Sequence, residues 1–189
     1  MKRCVVKVKG VAPYTQSKVV TTPKEERETH DAYEQRTWKD RCHRDQKGMV
    51  YIPGIAFKNA LSEAAKFLSI SIPGQGKATY TKNFEAGVMV TENIPIGVHV
   101  DDVQGLTVHV PSDGKRGGSK RVWKTFPVFH EWGGDVEFFI LDEIISKEVF
   151  QRVITGAGSF IGVGSWRPRN NGMNGRFTAE VVSWEEKAF

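Results

Sequence analysis

Residues 157–177 read AGSFIGVGSWRPRNNGMNGRF, a stretch that combines five glycines with three arginines and one tryptophan. Glycine adopts positive φ and leaves its peptide N–H uncovered, so a loop of this composition can approach a phosphate backbone closely. The arginines add charge-assisted hydrogen bonds and the indole adds a stacking surface. The composition favours a polyanion-binding site, and the alternative is a hairpin whose glycines serve only tight turns. The residues predicted to form this site are Gly162, Gly164, Trp166, Arg167, Arg169, Gly172, Gly175 and Arg176.

Predicted regular elements flank this glycine-rich stretch on both sides. Residues 146–155 have the spacing of an amphipathic helix, with Ser146 as a natural N-cap and Glu148 in the first turn. Residues 135–141, DVEFFIL, predict a strand before that helix, and residues 176–184 predict a strand after the loop. The second half of the chain therefore reads strand, helix, loop, strand.

The first half repeats the same order of elements. Residues 3–11 alternate in polarity like a half-buried strand, residues 49–68 read as a short strand followed by Pro-Gly and a helix, and residues 83–90 predict a further strand. Two such units with inserted strands between them predict an α+β, ferredoxin-like (RRM-like) βαββαβ sheet with two helices on one face. The helix residues expected to pack on the sheet are Ile55, Leu61, Ala64, Ala65 and Leu68.

A second basic loop precedes an aromatic segment. Residues 112–121 read SDGKRGGSKR, and residues 122–132 read VWKTFPVFHEW. Proteins hold single-stranded nucleic acid with basic side chains that contact successive phosphates and aromatic rings that stack on the bases. The basic residues of the loop are Lys115, Arg116, Lys120 and Arg121. Of Trp123, Phe126, Phe129 and Trp132, we expect most to lie in the core and one to face a ligand.

Lys58 lies near the start of the predicted helix in residues 49–68. Exposed N–H groups and the positive end of the helix dipole favour an anion there. A capped helix with a solvated lysine is the alternative for this position.

The polar segment 12–48 contains few aliphatic residues, so we expect it to be a projecting insertion or a mobile arm outside the core. It holds His30, Asp31 and other titratable residues, but no spacing matches a metal-ligand pattern, and dense charge usually indicates a solvated face. Neither a metal site nor a catalytic residue is predicted here.

The chain of 189 residues has 39% hydrophobic and 26% charged residues, which is typical of a globular protein. We expect a single domain over residues 1–189, with insertions at about 12–48 and about 95–121. No apolar run reaches the roughly 20 residues of a membrane span, and the first residues resemble a strand more than a signal peptide, so a cytoplasmic protein without a cofactor is expected. Cys4 and Cys42 are expected to be free thiols. The net charge of +5 favours an acidic partner.

Two segments resemble the RAMP superfamily, which includes the backbone subunits of CRISPR effector complexes. YIPGIAFKNAL, residues 51–61, resembles the family's PGSSLKGALR region, and GAGSFIGVGSWRPRNNGMNGRF, residues 156–177, resembles its glycine-rich loop. The resemblance implies an RNA-recognition-type ferredoxin fold, contact of the loop with an RNA backbone, and assembly of copies side by side. A small stand-alone phage or prophage relative is also compatible with it. The residues that match the two motifs are Pro53, Gly54 and Lys58, then Gly162, Gly164, Gly172, Gly175 and Arg176.

From these observations we expect single-stranded nucleic-acid binding, of RNA in preference to DNA, through the backbone and largely without sequence readout. One alternative is a protein-interaction module, such as a phage inhibitor or assembly factor, whose basic loops meet an acidic protein. Another is an endoribonuclease of the same fold that uses His30 or Asp31.

Overall fold

The structure, a computed structural model, describes residues 1–112 and 120–186. This part of the chain is a mixed α and β structure with several antiparallel sheets and four α-helices. The elements are β1 (Lys2–Gly10), β2 (Tyr14–Thr15), α1 (His30–Thr37), β3 (Met49–Ile52), α2 (Gly54–Leu68), α3 (Thr81–Ala86), β4 (Val88–Val90), β5 (Ile94–His99), β6 (Gln104–Pro111), β7 (Arg121–Phe129), β8 (Gly133–Ile140), α4 (Lys147–Gly156) and β9 (Phe177–Glu186).

The largest sheet has the strand order β4-β8-β1-β9, and every neighbouring pair in it is antiparallel. Strand β1 lies between β8 and β9, with Lys2 opposite both Ile140 and Glu186. The alternation predicted for β1 is confirmed, since Cys4, Val6 and Val8 are buried. The strands predicted on either side of the glycine-rich stretch are confirmed as β8 and β9.

Helices α2 and α4 pack against each other, and both bury an apolar face in the same core. Phe150 of α4 meets Phe138 of β8 edge to face, with ring centroids 5.3 Å apart, and the Ser146 hydroxyl accepts from the Val149 N–H as the predicted N-cap. The prediction that Ile55 of α2 packs on the sheet is wrong, because its side chain is 59% exposed. The buried stripe runs through Phe57 and later residues, and Ile55 lies about 200° around the helix from Phe57.

The predicted strand at residues 83–90 is wrong in its first half. Residues up to Ala86 form α3, and only Val88–Val90 form the strand β4. The sequence TKNFEA has one buried residue, Phe84, and no β-branched run to support a strand. The Asn83 side chain also donates to the Asp142 carboxylate at 2.7 Å, which anchors this short helix from another part of the chain.

The expectation that residues 12–48 lie wholly outside the core is wrong. Tyr14 and Thr15 are buried in β2, which pairs with β7, and Gln16 and Cys42 are buried nearby. Gln16 is accommodated because its side chain donates to Tyr51 O at 2.7 Å and accepts from the N–H of His43 at 2.7 Å. These two bonds join the segment to the start of the β3–α2 unit.

Helix α1 and a 3-10 turn (Trp38–Arg41) lie beside β7 in the second sheet, whose order is β2-β7-β6. The Arg41 guanidinium pairs with the Glu34 carboxylate through two contacts of 2.9 Å, and the same carboxylate accepts from the N–H of Thr125 at 2.7 Å. The pair therefore fixes α1 against the strand that carries the aromatic segment. A third, two-stranded sheet pairs β3 with β5. Within the described ranges, no helix has the length and apolar character that crossing a membrane requires.

Candidate nucleic-acid interface

The glycine-rich loop follows α4 through a π-helical turn (Ala157–Ile161) and lies against β2. Gly164 has φ +79, and a Cβ there would lie 2.4 Å from Thr15 O and inside contact distance of the Tyr14 ring. The N–H of Ser165 donates to Thr15 O at 3.0 Å, and the Thr15 hydroxyl donates to Ser165 O at 2.9 Å. The loop is thus an ordered wall, since its glycines allow it to lie directly on the β2 backbone.

The other predicted glycines also serve close backbone contacts within this loop. Gly162 is buried with φ +72, and Gly175 has φ +70. A Cβ on Gly172 would overlap the carbonyl oxygen of Trp166. Trp166 itself has φ +51 and meets Phe126 edge to face at 4.6 Å, so its ring closes the loop onto β7.

The three loop arginines are held by partners inside the protein. Arg167 donates to Glu63 of α2 at 3.0 Å, and Arg169 lies 3.4 Å from the other oxygen of the same carboxylate. Arg176 donates to Ser159 O at 2.5 Å. Arg169 is 59% exposed, so its guanidinium is the one that can most readily exchange Glu63 for a solvent-side anion.

Lys58 is placed away from the role that the sequence predicted for it. Its ammonium group donates to the Ser62 hydroxyl at 2.7 Å and to the carbonyls of Phe84 and Glu85 at 2.9 Å each. An ammonium has three protons, and here all three face protein acceptors. Burial lowers the pKa of Lys58. Lys58 therefore joins α2 to α3.

Lys115 and Arg116 of the basic loop lie outside the described residues. Lys120 is exposed, and Arg121, the first residue of β7, donates to His109 O. Of the four aromatics, Phe129 and Trp132 are buried and Phe126 is half-buried, as the core prediction requires, and Trp123 is 57% exposed.

The surface has two neighbouring cavities of about 390 Å³ and about 310 Å³, and the smaller one lies beside the glycine-rich loop. This smaller space, termed the groove, lies between the glycine-rich loop and the first turn of α2. The hydroxyls of Ser17 and Ser165 meet at 2.7 Å on its rim. Burial first, and the nearby charge of Lys18 second, lower the pKa of His43 from its ordinary value of 6.5. The groove is lined by Ser17, Lys18, His43, Asn59, Gly164 and Ser165, among others.

The larger space of about 390 Å³, termed the cleft, lies between residues 17–20, α1 and the first half of β7. Ser17 and Lys18 line both the groove and the cleft, so the two adjoin at these residues. The side chains that matter for its chemistry are Lys18, His30, Asp31, Trp123 and Lys124.

Sequence reasoning missed Lys18, His43 and Lys124 as interface candidates. Lys18 and His43 lie in the polar segment without a motif around them, and only the tertiary fold brings them to the groove. Lys124 follows the exposed Trp123 in β7, and this pairing of a cation with an aromatic was the available signal.

No group of three or more His, Cys, Asp or Glu side chains suited to a metal ion occurs within residues 1–112 and 120–186. Cys4 and Cys42 are both buried free thiols. Burial raises the pKa of Cys4 to about 12 and that of Cys42 to about 11, so both are protonated and unreactive at neutral pH.

In comparisons with known proteins, the chain matches solved structures but no family model or curated protein. Among 42 matching chains of solved structures is one from "Cryo-EM structure of the Type III-B Cmr-beta bound to cognate target RNA". It is 13% identical with a TM-score of 0.49, and the match covers 97% of this chain and 60% of that chain. At this identity and TM-score the likeness carries no functional argument.

Proposed function

We propose that this protein binds single-stranded nucleic acid, RNA in preference to DNA, along the surface formed by the groove and the cleft. The observation that carries the proposal is their junction at Ser17 and Lys18, with the glycine-rich loop on one side and the exposed Trp123 on the other. A strand laid along this surface meets the serine hydroxyls, the cations and a stacking ring in turn.

Phosphates would be held mainly by two lysines. Neither the Lys18 nor the Lys124 ammonium has a side-chain hydrogen bond or ion pair within the described residues, and both line the cleft. A free ammonium can neutralise a phosphate without first breaking an internal contact, and it releases a condensed counterion on binding. Arg167 and Arg169 contribute from the loop itself, where a phosphate competes with Glu63.

The preference for RNA is argued from the hydroxyl pair on the rim of the groove. Ser17 and Ser165 are hydrogen-bonded to each other at 2.7 Å, and Ser17 lines both the groove and the cleft. A 2′-hydroxyl is both donor and acceptor, so it can join such a pair, and a deoxyribose has no equivalent group.

The topology supports a finer assignment of the fold, which is part of the same proposal. The order β1, α2, β4, β8, α4, β9 with the sheet order β4-β8-β1-β9 is that of a ferredoxin-like unit, to which the two smaller sheets are added. Together with the resemblance to the RAMP superfamily, this leads us to propose a subunit that assembles with further copies along one RNA in a cytoplasmic ribonucleoprotein.

The direct test is fluorescence anisotropy with labelled single-stranded RNA and DNA of identical sequence across a salt series. We expect the protein to bind both strands, with RNA bound several-fold more tightly than DNA. The logarithm of each binding constant should fall linearly with the logarithm of the salt concentration. Failure to bind either strand at low salt would refute the proposal and favour a protein partner for the basic surface. Equal affinities would remove the argument from the serine pair.

An endoribonuclease is the second candidate, because His30 and Asp31 line the same cleft that would hold the strand. Incubation of a labelled RNA with wild type, His30→Ala and Asp31→Ala, resolved on a denaturing gel, separates it from pure binding. Cleavage by wild type that either variant abolishes would establish it. An intact RNA under binding conditions would leave binding as the function.

The groove gives a pH-dependent prediction through His43. With the folded-state pKa below the unfolded value of 6.5, protonation opposes folding, and His43 reduces the stability of the free protein as the pH falls below 6.5. Bound phosphate favours the imidazolium and raises its pKa, so RNA affinity should rise by about two- to fivefold as the pH falls toward 6. Anisotropy titrations at several pH values measure this rise.

His43→Gln should flatten that pH dependence. The control is His130→Gln, which removes an exposed histidine that lines a different surface depression. An unchanged pH profile in His43→Gln would mean that RNA does not approach this imidazole.

A further inference from the structure

We propose that the cleft is a binding subsite for one unstacked guanine base, which stacks on Trp123 and is read at its Watson–Crick edge by Asp31. The inference rests on the proposed function and adds a base preference that backbone binding alone does not have. It is carried by a cavity, an exposed indole and an available carboxylate that the fold places together.

Trp123 has the exposure and the support that a stacking platform needs. Its side chain is 57% exposed, and the ring of His109 lies against it at 4.8 Å with an interplanar angle of 31°. The histidine holds the indole in place from one side. The indole lines the cleft and also a neighbouring cavity of about 260 Å³, so it is accessible to a ligand in either space.

Asp31 is the carboxylate available for hydrogen bonding at this position. Asp31 lines both cavities, and its carboxylate has no hydrogen bond or ion pair within residues 1–112 and 120–186. The other carboxylate in the cleft, Glu34, is fully engaged by Arg41 and by the N–H of Thr125. Of these two carboxylates, only that of Asp31 is therefore available to accept hydrogen bonds from a ligand in the cleft.

The sign of this charge argues for a base here and for phosphates on either side. A carboxylate repels a phosphate, whereas Lys18 and Lys124 line the same cleft and can hold the phosphates that flank the inserted nucleotide. The cleft volume of about 390 Å³ is that of a small-ligand site.

Guanine is the base that fits the hydrogen-bonding pattern. Its N1–H and its exocyclic N2 amino group are adjacent donors, which a carboxylate accepts in bidentate fashion. Adenine and cytosine offer one amino group beside an acceptor, and uracil offers one N–H between two carbonyls. A carboxylate therefore favours guanine, which presents one more donor than the other bases. It disfavours adenine, cytosine and uracil because each would place an acceptor next to its negative charge.

The experiment compares oligouridines of about 12 nucleotides that carry one central guanosine, adenosine or inosine with the all-uridine strand, by fluorescence anisotropy at one salt concentration. We expect the guanosine strand to bind about tenfold more tightly than oligouridine, and the adenosine strand to bind much more weakly than the guanosine strand. Inosine keeps the N1–H but lacks the N2 amino group, so the affinity of its strand should lie between those of the guanosine and adenosine strands.

Two variants assign the effect to the two side chains. Asp31→Asn should reduce the affinity advantage of the guanosine strand over oligouridine to that of the adenosine strand or lower. Trp123→Ala should remove the preference, and Trp123→Phe should retain much of it. The matched control is Phe67→Ala, because Phe67 is 60% exposed and also packs against one aromatic neighbour, Phe160 at 5.3 Å.

The outcomes separate this inference from the function on which it rests. Salt-sensitive binding with equal affinity for all four strands would overturn the guanine subsite and leave the proposed function in place. A guanosine preference that persists in both Asp31→Asn and Trp123→Ala would also overturn it. Absence of binding to every strand would overturn both proposals together.

Discussion

The double variant Lys18→Glu/Lys124→Glu is expected to bind single-stranded RNA about 100-fold more weakly than wild type at low salt. Both lysines line the cleft, and Lys18 also lines the groove, so reversing their charges places two carboxylates along the proposed path. Each lost phosphate contact lowers the log–log salt slope by about 0.7 for a single strand, so the slope should fall by about 1.4. Anisotropy titrations across a salt series measure both quantities.

The control carries the same change in net charge at another part of the surface. Lys66→Glu/Lys82→Glu alters two exposed lysines that line neither the groove nor the cleft. If affinity depended only on the overall charge of the protein, both double variants would weaken binding equally. That result would contradict a strand path through Ser17 and Lys18.

Local sequence patterns were sufficient for the elements that build the main sheet. The alternation of Cys4, Val6 and Val8 defines β1, and the Ser146 cap defines the start of α4. These signals are short-range, because strand alternation and helix capping involve neighbouring residues. For α3 the local pattern gave the wrong element, and this short helix is anchored by a bond from Asn83 to Asp142, 59 residues further along the chain.

The candidate site was predicted less well than the fold, for a physical reason that Lys58 and Glu63 illustrate. Sequence reasoning identifies cations but not their internal partners, and Lys58 is engaged by acceptors from α3 that follow it by more than 20 residues. The single carboxylate of Glu63 meets both Arg167 and Arg169. Lys18 lies in no sequence motif, and the only local signal for Lys124 is the aromatic residue before it, so their common position in the cleft follows from the tertiary fold.

Gly175→Ala is expected to lower the free energy of unfolding by about 3–5 kcal/mol. Gly175 has φ +70, and a Cβ there would overlap the carbonyl oxygen of Val163, which is backbone and cannot rotate away. The same residue donates to Pro13 O at 2.8 Å and accepts from the N–H of Val163 at 3.0 Å. The substitution therefore separates the two arms of the glycine-rich loop and detaches the loop from the segment that follows β1.

Gly74→Ala supplies the control, since Gly74 has φ +74 but a Cβ there would have no atom within 4 Å. Its cost is that of left-handed backbone alone, about 1 kcal/mol. Urea unfolding of both variants, with the m-value monitored, isolates the contribution of the close backbone approach at Gly175. Equal losses in the two variants would mean that the loop yields to the added methyl group, and a loop that yields in this way would not be the fixed wall that the groove requires.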